Sequence, residues 1–264
     1  MQIDLSGRHA LVTGSTTGIG YGIARGLAGA GARVVVNGRD GERVTRAVQG
    51  LREAVPGVAV SGVAADVGTA EGVAALIEAE PLVDILVNNV GIFEAKRFVE
   101  ASDQDWLRAF EVNVLSGVRL SRHHVPAMAE RGWGRVVFVS SEYALQIPPD
   151  MVHYGMTKTA QMAVSRGIAE SFPGSGVTVN TVLPGPTMTE RTDAHFASVA
   201  ERTGGSKGDA AAKFIASQRP HSLLRRFVSV EEVANLVVYL CSPQASATTG
   251  AVLRVDGGVV RTIP

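Results

Sequence analysis

Apolar and polar positions follow two rhythms that take turns along the chain. Short, nearly continuous runs of Val, Ile, Leu and Ala stand at Arg8–Thr13 (R-H-A-L-V-T), Arg33–Asn37, Val58–Ala64, Val83–Val87 (V-D-I-L-V), Arg135–Ser140 (R-V-V-F-V-S), Val177–Leu183 and Ala251–Val255. Runs this short and this apolar predict strands buried on both faces. Longer stretches between them predict helices over Ile19–Ala30, Gly41–Ala54, Ala70–Ala79, Asp103–Glu130, a segment carrying Tyr154 and Lys158 to about Ser171, and Ser229–Leu240. Strand and helix in strict turn argue for an α/β protein, a doubly wound parallel sheet of about seven strands with helices on both faces. One stretch, Glu190–Val228, breaks the rhythm: it is polar and poorly periodic. No linker-like shift, repeat or low-complexity tract divides the chain, so a single domain over residues 1–264 is expected.

Composition narrows the function classes. The 264 residues carry 25 basic and 25 acidic side chains, which offers no electrostatic footprint for nucleic acid and no attraction to an anionic membrane surface. No apolar run approaches the ~20 residues of a bilayer span, and the first residues lack the pattern of a signal peptide. A soluble, cytoplasmic protein is the expectation. Cys241 is the single cysteine, which excludes an intrachain disulfide and reads as a small buried hydrophobe rather than a nucleophile. Six histidines are present, but His123 and His124 are adjacent and diverge on a helix, and no H-x-x-x-H occurs. No metal is expected.

The first strand ends in T-G-S-T-T-G-I-G, residues 13–20. A glycine turn between a first strand and a helix suits a diphosphate: Gly14 permits the tight turn, Gly18 and Gly20 allow close approach, and the helix N-terminus supplies free N–H groups. Gly14, Thr16, Thr17, Gly18, Ile19 and Gly20 are therefore candidate dinucleotide contacts in a Rossmann-type fold. Asp66, with Val67 beside it, follows the third strand, where its carboxylate suits an adenine amino group or caps the next helix. Asn88, Asn89, Val90 and Gly91 (V-N-N-V-G from Val87) fall at the carboxyl edge of the sheet, where α/β folds bind ligands. After the second strand the acid that would select NAD is missing: Gly38 stands there and Arg39 follows, so NADP(H) is favoured and NAD(H) remains possible. Asp40 is one residue late and reads as a helix cap.

The segment H-Y-G-M-T-K, residues 153–158, places Tyr154 and Lys158 one helical turn apart. An ammonium beside a phenol favours the phenolate and draws its pKa toward neutrality, a metal-free acid/base.

Together these residues resemble the short-chain dehydrogenase/reductase family, in its single-domain form similar to 3-oxoacyl-carrier-protein reductases, over essentially the whole chain. The resemblance rests on T-G-x-x-x-G-I-G at 13–20, N-N-x-G at 88–91, Asn113, Ser141, Tyr154, Lys158 and N-T-V-L-P-G at 180–185. It implies that Tyr154 is the general acid/base, that Lys158 lowers its pKa and holds the nicotinamide ribose, and that Ser141 donates to the substrate oxygen. It implies that Asn113 holds a water linking Lys158 to solvent, or else is a buried amide kinking its helix. Pro184, Gly185, Thr187 and Thr189 (P-G-P-T-M-T) resemble the loop that clamps the carboxamide. Glu190–Val228 falls where the family has its substrate lid. The family also implies a homotetramer or homodimer.

Departures are Val90 for the usual alanine, Thr187 for Val or Ile, Ala144 for a frequent glycine, and Glu142 directly after Ser141. Glu142 reads as a solvated strand-end charge or as a residue at the substrate rim. The implied function is an NAD(P)-dependent oxidoreductase, NADPH-preferring, that interconverts a small-molecule ketone and a secondary alcohol. The alternatives are an NAD-linked polyol, sugar or hydroxysteroid dehydrogenase, and a non-catalytic dinucleotide-binding sensor.

Overall fold

The computed structural model describes residues 2–263. The elements are β1 (His9–Val12), α1 (Gly18–Gly29), β2 (Arg33–Gly38), α2 (Gly41–Ala54), β3 (Val60–Ala64), α3 (Ala70–Ala79) and β4 (Ile85–Asn88). Then come α4 (Asp103–Phe110), a π-helical turn (Glu111–Leu115), α5 (Ser116–Glu130), β5 (Gly134–Val139), α6 (Val152–Ser171) and β6 (Val177–Pro184). The chain finishes with β7 (Thr187–Met188), α7 (Glu190–Thr203), α8 (Lys207–Gln218), β8 (Val228–Ser229), α9 (Val230–Cys241) and β9 (Val252–Val255). Seven strands form one parallel sheet in the order β3-β2-β1-β4-β5-β6-β9, the doubly wound arrangement that the alternation predicts.

The strands are apolar throughout because both faces of the sheet are covered. Successive residues point to opposite sides. Val12, Val34, Val36, Val87 and Val137 pack with Ile23 and Leu27 of α1, Leu51 of α2, and Val237 and Leu240 of α9. Their neighbours Leu11, Val35, Leu86, Val136 and Phe138 face Leu76 of α3 and Leu120, Val125 and Met128 of α5. Fully burying side chains of this size stabilises by about 1.5–3 kcal/mol each, so the sheet centre is the stable platform of the molecule. Strand order reverses at β1 and β4, and this opens a crevice at their carboxyl ends.

Three features differ from the sequence pattern. The helix expected over Asp103–Glu130 is interrupted by the π-helical turn, which holds Asn113 in its middle. The polar stretch after Glu190 forms two helices. Thr189 and Ser206 cap them by accepting from the N–H groups of Thr192 and Asp209, and Gly204 ends α7 in a left-handed conformation. The two-residue parallel pair β7 and β8 was not expected either; it ties the start of α7 to the start of α9.

Candidate active site

The turn after β1 is built around side chains that brace backbone. Thr13 Oγ1 accepts from the N–H groups of Asn89 (3.0 Å) and Val90 (3.1 Å). Asn89 Nδ2 returns bonds to the carbonyls of Thr13 (2.9 Å) and Gly14 (3.1 Å). Asn37, almost wholly buried, accepts from Gly14 N–H at 3.4 Å and donates to the carbonyls of Val63 and Ala65, so one amide knits β1, β2 and β3 at their carboxyl ends. Gly14 has φ +61°, a left-handed conformation open to glycine, and a Cβ there would stand 2.9 Å from Val90 Cγ2. A Cβ on Gly20 would lie 2.4 Å from Asn89 Nδ2.

Beside this turn lies a cavity of about 690 Å³. Of the residues that the sequence nominates for a dinucleotide, Gly14, Thr16, Thr17, Arg39, Asp66, Val67, Asn89, Val90 and Gly91 all line it. Gly18, Ile19 and Gly20 lie behind the turn, in the first turn of α1. Pro184, Gly185, Thr187 and Thr189 lie outside the cavity walls, although the methyl of Thr189 comes within 3.5 Å of the place a Gly18 Cβ would take. Thr187 is buried and its hydroxyl donates to the Gly185 carbonyl at 2.9 Å.

Volume, glycine clearance and basic side chains fit a dinucleotide lying along this crevice. Arg43 and Arg108 join Arg39 in the wall. Sequence reasoning missed both, and it missed Asn37. Asp40 does cap α2, accepting from Arg43 N–H at 3.0 Å, and this turn of chain aims Arg43 at the cavity. Asp66 does not cap α3: its carboxylate accepts from Gly68 N–H, and Thr69 is the cap, accepting from Gly72 N–H at 3.0 Å.

The second cluster sits where β5 meets α6. Ser140 ties backbone, donating to the Lys158 carbonyl at 2.8 Å. Ser141 faces Tyr154, whose ring is flanked edge-on by Tyr143 at 6.0 Å and by Phe93 at 5.9 Å between centroids. Lys158 is 3% exposed. Its Nζ donates to the Val139 carbonyl at 3.0 Å and to Gln161 Oε1 at 3.2 Å, and lies 5.6 Å from the Tyr154 ring centre. A Cβ on Gly91 would stand 3.3 Å from that Nζ, which places the lysine against the dinucleotide crevice.

Charge states depart from the sequence expectation. Burial first, and the nearby Glu142 second, hold the Tyr154 pKa above its ordinary value, while the Ser141 hydroxyl beside it opposes them. Burial lowers Lys158 itself to about 7, so its charge is only part-formed at neutrality.

Asn113 is a clamp. Its Oδ1 accepts from Ile92 N–H at 2.7 Å, and its Nδ2 donates to the Ile92 carbonyl at 2.9 Å and to Thr157 Oγ1 at 3.0 Å. The π-helical turn frees its carbonyl to accept from Gln161 Nε2 at 2.6 Å. Side chains thus link Lys158 to Asn113 through Gln161, a residue that the sequence reading passed over although it follows Lys158 by three on the same helix.

These arrangements have relatives. A family model described as enoyl-(acyl carrier protein) reductase matches residues 14–260. The uncharacterized oxidoreductase YvaG of Bacillus subtilis is 44% identical with both chains covered in full. The 3-oxoacyl-[acyl-carrier-protein] reductase FabG of Aquifex aeolicus is 35% identical over 98% of this chain and 100% of its own. The chain belongs to the short-chain dehydrogenase/reductase family. Among solved structures, L-sorbose reductase from Gluconobacter frateurii, complexed with NADPH and L-sorbose, superposes with a TM-score of 0.92 at 36% identity, covering 100% of both chains.

As a short-chain dehydrogenase/reductase the chain is an NAD(P)-dependent oxidoreductase, and its cofactor is a nicotinamide dinucleotide. Among the described residues no group of three His, Cys, Asp or Glu side chains is placed to hold a metal, and no helix is long and apolar enough to cross a membrane. Glu142 is not a solvated strand-end charge: it is 5% exposed, against Ser141 and Arg219.

Proposed function

We propose that this short-chain dehydrogenase/reductase is an NADPH-preferring reductase that converts a ketone to a secondary alcohol. The observation that carries the reading is the half-buried Tyr154 phenol, whose pKa its surroundings hold above the ordinary value, set beside the Ser141 hydroxyl at the end of the crevice. When bound there, the nicotinamide supplies a hydride to the carbonyl carbon. Tyr154 gives its phenolic proton to the carbonyl oxygen, and Ser141 donates a hydrogen bond to that oxygen as charge develops on it. Lys158, held by the Val139 carbonyl and Gln161, stands between Tyr154 and the crevice and restores the lost proton. Asn113 fixes the Ile92 backbone at the edge of the site.

The preference for NADPH is supported by the end of β2. A Cβ on Gly38 would lie 2.6 Å from Thr16 Cγ2, so an acid there would have to displace the Thr16 side chain, whereas Arg39 and Arg43 stand ready for a 2′-phosphate. The domain is a single one over 1–264, with 190–228 as a lid. Arg219 at the end of α8 meets Glu142 and Tyr143, and Glu190 at the start of α7 accepts from Gly18 N–H at 3.0 Å.

The test is cofactor turnover by the full chain with β-ketoesters, diketones, aldoses, ketoses and ketosteroids. NADPH should be consumed with at least one carbonyl, and NADH more slowly. Binding of both cofactors with no carbonyl reduced and no corresponding alcohol oxidised would overturn the reading.

A further inference from the structure

Among the described residues Glu142 is the one buried carboxylate beside the proposed reacting groups, and no step of the proposed reduction uses it. A carboxylate removed from water is costly unless its oxygens are partnered. One oxygen, Oε2, accepts from the Ser141 hydroxyl at 2.9 Å. The other, Oε1, faces Arg219 Nη2 at 3.4 Å. Arg219 also donates to the Tyr143 hydroxyl, and its guanidinium lies over the Tyr143 ring. The carboxylate, moreover, borders a cavity of about 250 Å³ with Tyr143, Gln146, Gln218 and Arg219 on its polar walls.

Counting protons shows the difficulty. Ser141 Oγ accepts from Tyr143 N–H at 3.2 Å and has a single proton to give. While that proton goes to Glu142, it is not available to a substrate carbonyl. A simple ketone therefore sets two acceptors, its own oxygen and Glu142, in competition for one donor. A ketone with a hydroxyl on the adjacent carbon brings a second donor. That hydroxyl bonds Glu142, and the Ser141 proton is released to the carbonyl oxygen.

We infer that Glu142 reads the substrate, and that the carbonyl reduced here carries a hydroxyl group on the neighbouring carbon, as in a ketose or other polyhydroxy ketone. The inference rests on the ketone-reductase reading above and deepens it by naming the substrate class. In the cavity shared with Arg219, further hydroxyls of such a molecule meet Gln146, Gln218 and Arg219, while Ile147, Pro148 and Val259 complete its walls.

The experiment compares kcat/KM at saturating NADPH for 1-hydroxy-2-butanone and for 3-pentanone, which puts a methyl in place of the hydroxyl. D-fructose and ethyl acetoacetate serve as a second pair. Wild type should favour the hydroxyketone by about 100-fold or more, because a site built to bond a hydroxyl discriminates strongly against its absence. Glu142→Ala should reduce that ratio at least about tenfold, with Glu142→Gln in between, since an amide oxygen still accepts. NADPH affinity, followed by fluorescence, reports whether the variants keep the fold. Should they lose it, the wild-type ratio decides alone.

A wild-type ratio near one, or a ratio unmoved in both folded variants, would overturn the role of Glu142 and leave the reductase reading standing. No turnover of any carbonyl in either pair or in the wider panel would remove both.

Discussion

The two ends of the crevice use polar side chains in opposite ways. At the dinucleotide end Thr13, Asn37 and Asn89 donate to and accept from backbone, and their bonds hold the glycine turn, β2 and β4 in one rigid unit. None of the three is a charged group, and what they leave open is clearance and N–H groups. At the β5–α6 end the groups are titratable: half-buried Tyr154 and buried Lys158 and Glu142, displaced from their ordinary pKa values chiefly by desolvation. One end is shaped to hold, the other is poised to exchange a proton. The lesson is that binding here depends on backbone geometry and chemistry on desolvation, so the two should fail separately.

Tyr154 apart, the largest expected effect falls at the lysine of the proton-exchanging end. Lys158→Met should lower kcat by about 10²-fold or more, measured in the steady state with the best carbonyl. The same variant sharpens the point through pH. The folded-state pKa of Lys158, about 7, lies below the unfolded value near 10.5, so between these the unfolded chain binds a proton that the folded chain does not. Stability of the cofactor-free protein should therefore rise with pH across that window, and denaturation of Lys158→Met should lack this rise.

At the holding end Arg39→Asp should shift the NADPH/NADH ratio of kcat/KM toward NADH by about 10- to 100-fold, the worth of one charge-assisted contact exchanged for a repulsion. Gly20→Ala should cost about 1–3 kcal/mol in urea denaturation, because its Cβ would press on Asn89 and on the Gly14 carbonyl. The smallest effect concerns Glu190, whose carboxylate occupies Gly18 N–H at the start of α1, where a diphosphate also seeks N–H groups. Glu190→Gln should tighten NADPH about two- to fivefold by titration.

The same contrast explains what the sequence made legible. Strands β1 to β6 and the glycine turn are local: apolar runs, Gly14 and the neighbouring Asn89 carry their meaning in a few consecutive residues. Asp40 as a cap was equally readable. The partners of Asn37 were not, because its bonds reach across β3 and the β1 turn, 22 to 28 residues away. The break in the helix was legible only as the alternative that Asn113 is a buried amide kinking it; the bond from Gln161, 48 residues on, left no signal in periodicity. Glu142 shows the limit most clearly. A glutamate after a strand is solvated in most chains, and only the return of α8, with Arg219 77 residues later, buries it. The two helices after Glu190 were legible in part, since Ser206 with Asp209 and the Gly204–Gly205 pair are cap signals, but the polar composition of the stretch hid them.

The most direct test of the division between holding and proton exchange is Tyr154→Phe, followed by NADPH titration and turnover on the same preparation. NADPH should bind within about threefold of wild type while turnover falls by about 10³-fold or more. A variant that loses NADPH binding in proportion to turnover, or that keeps its turnover, would contradict the account.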